Sequence, residues 1–257
     1  MSGATTGRLL LEQTRSNTYS LLDLVRPLQP GRGASIEVLS PASTGHGKTF
    51  LLYHLIALLI TGQHLPTFTG TIFPTSAPDK TIIVITDHTF NVLTLAAHIS
   101  SADRVRCLKH LHIFTPPPSD HAALLATIES IKGYILDTSR HVSGDRNLAL
   151  IALDVSATSN VGPIVLARLL KISKDLGAVA LWTRREYRDE AEDSLPQPTL
   201  RVWIRREGRA KLPSAISVAD AKALGARGEF FKVENRTWRG VCVIKDGVWT
   251  TLEGPKN

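Results

Sequence analysis

Residues 34–62 read ASIEVLSPASTGHGKTFLLYHLIALLITG, and this stretch decides the fold. It opens with an apolar run from Ser35 to Leu39, which predicts a buried β-strand. A loop of small residues follows and ends in Gly45-His46-Gly47-Lys48-Thr49. The apolar segment from Lys48 to Thr61 then predicts a helix, which ends at Gly62. Strand, glycine-bearing loop and helix in this order are typical of a phosphate-binding P-loop.

The loop carries the residue types that hold a phosphate chain. Backbone N–H groups of Gly45, His46 and Gly47 would cradle the phosphates, and Lys48 would reach the β- and γ-oxygens. The pattern departs from G-x-x-x-x-G-K-[ST] at its first position, where Ala42 stands. A glycine-rich turn that binds nothing is the alternative interpretation.

Two further positions have the chemistry of a magnesium and water site. Asp154 ends the apolar run 148–153, where a carboxylate beside a P-loop would hold Mg²⁺ together with the Thr49 hydroxyl. The alternative for Asp154 is a carboxylate that caps a turn. Asp87 follows the run 81–86, and it either polarises an attacking water or N-caps the next helix.

The alternation of strand and helix patterns predicts an α/β fold with a mostly parallel sheet and helices on both faces. Residues 34–257 form the predicted core domain, and residues 1–33 form a cap or a partner-docking segment. Residues 184–198 look like a charged loop, and the strands after it are predicted to be an antiparallel extension. The predicted strands are 35–39, 80–86, 110–115, 148–153, 178–183, 199–206, 229–234, 239–244 and 248–252, and the predicted helices after the first are 90–99, 120–140 and 163–177.

Composition limits the class of protein. The chain has 257 residues, 43% of them hydrophobic, which suffices for one sizeable core. No apolar run reaches the roughly 18 residues of a membrane span, and no secretory pattern begins the chain. The two cysteines, Cys107 and Cys242, predict neither a disulfide framework nor a metal site, and the nine histidines lack metal-ligand spacing. The net charge of +7 favours polyanionic partners only mildly.

Basic residues after the fourth core strand are candidates for contact with DNA. Arg184 and Arg185 would face a phosphate, meet a DNA backbone or lie in a solvated loop. The segment 201–211, RVWIRREGRAK, places Arg201, Arg205 and Arg206 around Trp203. It would contact nucleic-acid backbone and stack a base. The alternative is a charged sheet edge with Trp203 in the core.

Four elements in order make the chain similar to the RecA-type recombinase core. They are GHGKT at 45–49, IVITDHTF at 83–90, LIALDVSA at 150–157 and GAVALWTRRE at 177–186. The chain resembles most the eukaryotic recombinase paralogs of the short X-ray-repair cross-complementing type, which lack an N-terminal helical domain. The segments FFKV at 230–233 and VCVIKDGV at 241–248 extend the likeness over roughly residues 34–250.

The resemblance implies a RecA-like P-loop NTPase core in an accessory subunit for homologous recombination and double-strand break repair. It implies ATP and Mg²⁺ as cofactors, another recombinase paralog as partner, DNA bound directly or through the complex, and a nuclear location. Asp87 takes the position of the water-activating acid, and Arg184 and Arg185 replace an Asn-Gln pair that senses nucleotide. Together with Ala42, these departures imply at most a weak DNA-dependent ATPase.

Two other functions stay open from the residues alone. A P-loop phosphotransferase for a small molecule would use the arginines of 184–193 as a lid. A nucleotide-free scaffold would keep the fold without the ligand.

Overall fold

A computed structural model describes residues 33–41, 47–61, 80–87, 90–117, 120–155, 161–186, 196–208, 229–234, 239–245 and 248–253. The described part does not include residues 1–32, Ala42, Gly45 or His46. The roles predicted for these residues therefore stay predictions. Within the described ranges, nine strands form one sheet in the order β3-β2-β4-β5-β1-β6-β7-β8-β9. The strands are β1 (Ser35–Pro41), β2 (Lys80–Thr86), β3 (Leu111–Phe114), β4 (Asn147–Asp154), β5 (Val179–Glu186), β6 (Leu200–Gly208), β7 (Glu229–Glu234), β8 (Arg239–Lys245) and β9 (Val248–Glu253).

The predicted α/β class is confirmed. The six strands from β3 to β6 in the sheet order are all parallel, and β7, β8 and β9 join β6 in antiparallel pairs. Five helices lie in the described ranges: α1 (Gly47–Thr61), α2 (Val92–Ala97), α3 (Arg104–Leu108), α4 (His121–Leu136) and α5 (Pro163–Asp175). None of the helices in this part of the chain is long and apolar enough to span a bilayer.

Helices cover both faces of the parallel sheet because the strands are apolar on both sides. Alternate residues of β2, β4 and β5 enter two separate clusters. One cluster packs against α1 and includes Val84, Ala152 and Leu181. The other packs against α4 and α5 and includes Ile85 and Trp182. This two-sided burial explains why the core strands read as continuous apolar runs rather than as alternating ones.

Local signals set the ends of the helices. The Asn91 side chain accepts hydrogen bonds from the backbone N–H groups of Leu93 and Thr94 and so caps α2. Asp120 caps α4 in the same way, through a 2.9 Å bond from the backbone N–H of Ala123. Gly177 ends α5 with a φ of 67°, a conformation that glycine adopts without strain.

Four predictions differ from the structure. The sequence predicts an antiparallel strand over 199–206, but β6 runs parallel to β1 and only its other edge pairs antiparallel with β7. It predicts a loop at Arg184 and Arg185, but both continue β5, because this strand pairs with β1 as far as Glu186. The helix expected over 90–99 shortens to α2, and the one over 120–140 ends at Leu136.

Candidate functional site

The candidate site lies at the carboxyl ends of β1, β4 and β5. Helix α1 leaves β1 on one face of the sheet, and α5, which follows β4, packs on the other face. Where helices diverge in this way, an open parallel sheet forms a crevice beyond its strand ends, and ligands of such sheets bind there. The crevice contains the polar residues that the sequence singled out.

Asp154 is the centre of this crevice. Its carboxylate accepts a 3.0 Å hydrogen bond from the Thr49 hydroxyl and a 2.5 Å bond from the Thr183 hydroxyl. The Thr86 hydroxyl donates to the backbone carbonyl of Asp154 at 2.8 Å. Three hydroxyl groups, from α1, β5 and β2, therefore hold one strand-end residue in place. The residues that Asp154 would cap as a turn residue, 156–160, lie outside the described part of the chain, so this alternative stays open.

Lys48 lies in the first turn of α1 and is 6% exposed. Its ammonium donates a 2.6 Å hydrogen bond to the hydroxyl of Ser40 at the end of β1. The first backbone N–H groups of a helix have no partner within that helix, so they and Lys48 together offer positive charge at this end of α1. Such an arrangement suits an anion.

Burial shifts the acid–base properties of both charged groups in the crevice. It lowers the pKa of Lys48 to about 8, and the positive charge of Arg185 acts in the same direction while Asp154 opposes it. It raises the pKa of Asp154, against the hydrogen bonds from Thr183 and Thr49 and the attraction of Lys48. Both groups are therefore poorly solvated, and an anion near Lys48 or a cation near Asp154 would stabilise their charged forms.

Asp87 follows β2, next to the strand that ends at Asp154. Thr86 and Asp154 are paired in register, so Asp87 lies one residue beyond the level of Asp154. It is buried, and its charge contributes to the raised pKa of Asp154. Asn91, not Asp87, caps α2, so the capping role considered for Asp87 is wrong.

Two of the arginine candidates, Arg184 and Arg201, contact one buried carboxylate. Arg184 and Arg201 pair with Glu37 of β1, through contacts from their Nε atoms of 3.0 Å and 2.6 Å. Trp182 donates its Nε1–H to the same carboxylate at 3.2 Å. Glu37 is 1% exposed, so this cluster neutralises a buried charge between three neighbouring strands.

Trp203 is half-buried, and the guanidinium of Arg201 lies 5.9 Å from its ring centroid. The alternative that places Trp203 fully in the core is therefore wrong, and base stacking stays a prediction. Arg205 and Arg206 lie in β6, in register with Lys232 and Phe231.

The residues present fit a magnesium ion that is shared with a ligand. No group of three or more His, Cys, Asp or Glu side chains in the described ranges could hold a metal ion by itself. Mg²⁺ commonly takes only one or two protein oxygens and completes its shell with phosphate oxygens and water. Thr49 and Asp154 supply two oxygens 3.0 Å apart.

The structure thus brings together Lys48, Thr49, Asp154 and Asp87, and it places Gly47 at the start of α1. Sequence reasoning missed Ser40, Thr183 and Glu37. Glu37 carried a signal, since a lone charge inside an apolar strand needs a buried partner. The hydroxyl groups of Ser40 and Thr183 carried none, because their role depends on which strands become neighbours.

The sequence matches no protein-family model and no curated protein sequence.

Proposed function

We propose that this chain binds Mg·ATP in the crevice at the carboxyl ends of β1, β4 and β5. The observation that carries the proposal is the contact of Thr49 with Asp154, beside the buried ammonium of Lys48. Lys48 would bind phosphate oxygens, and Thr49 and Asp154 would hold Mg²⁺ against the same phosphates. The magnesium ion would neutralise charge on the phosphate chain.

The biological setting of this binding is a proposal that rests on the resemblance to recombinase paralogs. In it the chain is an accessory subunit in homologous recombination and double-strand break repair, and it works in a nuclear complex with another paralog. DNA is bound by this complex, and residues 1–33 are a docking candidate. The six parallel strands and the position of the crevice are compatible with a RecA-like core.

Weak or absent ATP hydrolysis is part of the proposal. Asp87 is the carboxylate nearest to the position of a water-activating acid, and Asp is one methylene shorter than Glu. Its charge also acts on Asp154 and raises the pKa of that carboxyl. We expect the isolated chain to turn over ATP well below about one per second, the lower end of the usual enzyme range.

Calorimetric titration with ATP in magnesium buffer tests the binding. We expect Lys48→Ala to weaken ATP binding by about tenfold or more, because it removes a charge-assisted contact. Lys132→Ala, an exposed lysine on α4, is the matched control and should bind like the unmodified chain. An unmodified chain that binds no ATP at millimolar concentration would refute the proposal.

The setting is tested separately in cells. Affinity purification of the tagged chain should recover a second recombinase paralog. Lys48→Ala, if folded, should impair the repair of broken DNA. Recovery of metabolic enzymes with a phosphorylated small-molecule product would instead support the phosphotransferase. A Lys48→Ala chain with full repair activity would support the scaffold.

A further inference from the structure

Arg184 and Arg185 are neighbours in sequence, but they lie on opposite faces of the sheet. Side chains alternate between faces along a strand. Arg184 lies on the face of Trp182, where both contact Glu37. Arg185 shares its face with Thr183, whose hydroxyl contacts Asp154 in the crevice. The two arginines therefore have different surroundings.

The register of the sheet places Arg185 beside Lys48. Arg185 is paired with Ser40 across the parallel β1–β5 ladder, so the two side chains lie on the same face. The Ser40 hydroxyl accepts the 2.6 Å hydrogen bond from the Lys48 ammonium. Arg185 also contributes to the lowered pKa of Lys48, as a nearby cation would.

Arg185 differs from Arg184 in its pairing. The Arg184 side chain is 15% exposed and forms an ion pair with Glu37. Arg185 is half-buried, and among the described residues no carboxylate forms an ion pair with it. The positive charges of Lys48 and Arg185 repel each other at this partly buried site, which costs free energy. A polyanion bound between them would remove the repulsion.

We propose that Arg185 supplies a second cation to the crevice, so that Lys48 and Arg185 together bind a ligand chain of two or more phosphates. This inference rests on the proposed function and specifies its ligand. The guanidinium presents a planar fork of donors that matches two phosphate oxygens, whereas the Lys48 ammonium acts as a compact charge. The partner recognised by Arg185 is the phosphate chain, not the base.

Titration of Arg185→Ala with two probes, ATP and inorganic tripolyphosphate, tests this assignment in the full chain. We expect the dissociation constants of both probes to rise by about tenfold, because the substitution removes a bond to phosphate in each case. Arg185→Lys keeps the charge without the fork, so its dissociation constants should rise less. Arg168→Ala is the control, since this half-exposed arginine on α5 pairs with Glu129.

The outcomes separate the two proposals. If the unmodified chain binds both probes and Arg185→Ala binds them equally well, the role of Arg185 is refuted while nucleotide binding stands. A loss of ATP binding with unchanged tripolyphosphate binding would also refute it, because Arg185 would then bind the nucleoside. An unmodified chain that binds neither probe would overturn both proposals. Urea unfolding without ligand should show Arg185→Ala to be at least as stable as the unmodified chain, because the substitution removes the repulsion from Lys48.

Discussion

The Thr49 hydroxyl lies 3.0 Å from a carboxylate oxygen of Asp154, 105 positions further along the chain. The two residues come from α1 and β4, and the strands β1 and β4 are not neighbours, since β5 lies between them. The contact therefore crosses the end of β5, where Thr183 completes it. This geometry makes the two oxygens a pair that one small cation could share.

Removal of the Thr49 hydroxyl should abolish the effect of magnesium on ATP binding. We expect the unmodified chain to bind ATP about tenfold tighter in Mg²⁺ than in EDTA, and Thr49→Ala to show little difference. Titrations of both chains in both buffers give the ratio. Thr49→Ser retains the hydroxyl and should retain the magnesium effect. If Thr49→Ala keeps the full ratio, Thr49 is not a ligand.

Loss of the Glu37 charge should destabilise the fold. Glu37→Gln removes the buried negative charge that Arg184 and Arg201 contact, and breaking such a buried pair costs about 3–5 kcal/mol. Urea unfolding of both chains measures the difference. Glu129→Gln is the matched control, because its pair with Arg168 is half-exposed, and it should cost less than about 1 kcal/mol. Equal effects of the two substitutions would contradict the prediction.

Much of the fold was predictable because burial on both faces leaves a strong mark on sequence. The β-branched and apolar runs at 80–86 and 148–153 were predicted as buried strands. Thr49 and Asp154 were expected to meet because a carboxylate at the end of a core strand beside a P-loop shares its magnesium site. The direction of β6 was not predictable. It depends on how the chain between β5 and β6 returns, and no local pattern encodes this.

The candidate site was predictable in its residue types but not in its neighbours. Arg184 and Arg185 look equivalent in sequence. Only the extension of β5 along β1 assigns one to Glu37 and the other to the crevice. The contact between Thr183 and Asp154 also depends on which strands become neighbours, so it could not be predicted from the sequence.

DNA contact by the β6 segment is a further prediction. Charge reversal at Arg205 and Arg206 should weaken DNA binding by the complex. It should also make the plot of log binding constant against log salt concentration less steep, by roughly 0.9 for each phosphate that the segment no longer neutralises. Arg140→Glu, an exposed arginine beyond α4, is the control. Fluorescence anisotropy across a salt series measures the slope. Unchanged binding would remove β6 from the DNA path.

A buried histidine cluster beside β3 should make the fold sensitive to acid. The His112 ring contacts the Tyr134 hydroxyl at 2.9 Å and the Ser143 hydroxyl at 3.0 Å, and Ser143 also contacts His110 at 2.8 Å. His141 lies 5.1 Å away from His112, ring centroid to centroid. Burial lowers the pKa of His112 from 6.5 to about 4, and the nearby charges of His141 and His110 act in the same direction.

The sign of the effect follows from proton uptake. Between pH 4 and 6.5 the unfolded chain binds a proton at His112 that the folded chain does not, so stability falls as the pH is lowered through this range. We expect a loss of about 2 kcal/mol from this residue between pH 7 and pH 5. His54, whose pKa burial also lowers to about 4, should add a similar loss.

Urea unfolding at several pH values tests this sensitivity. His112→Gln keeps a polar group near Ser143 but cannot take up a proton, so its free energy of unfolding should vary less with pH than that of the unmodified chain. His121→Gln, at the exposed start of α4, is the control and should keep the original slope. The same slope in all three chains would show that another group carries the acid sensitivity, because only His112→Gln removes the proton site in the cluster.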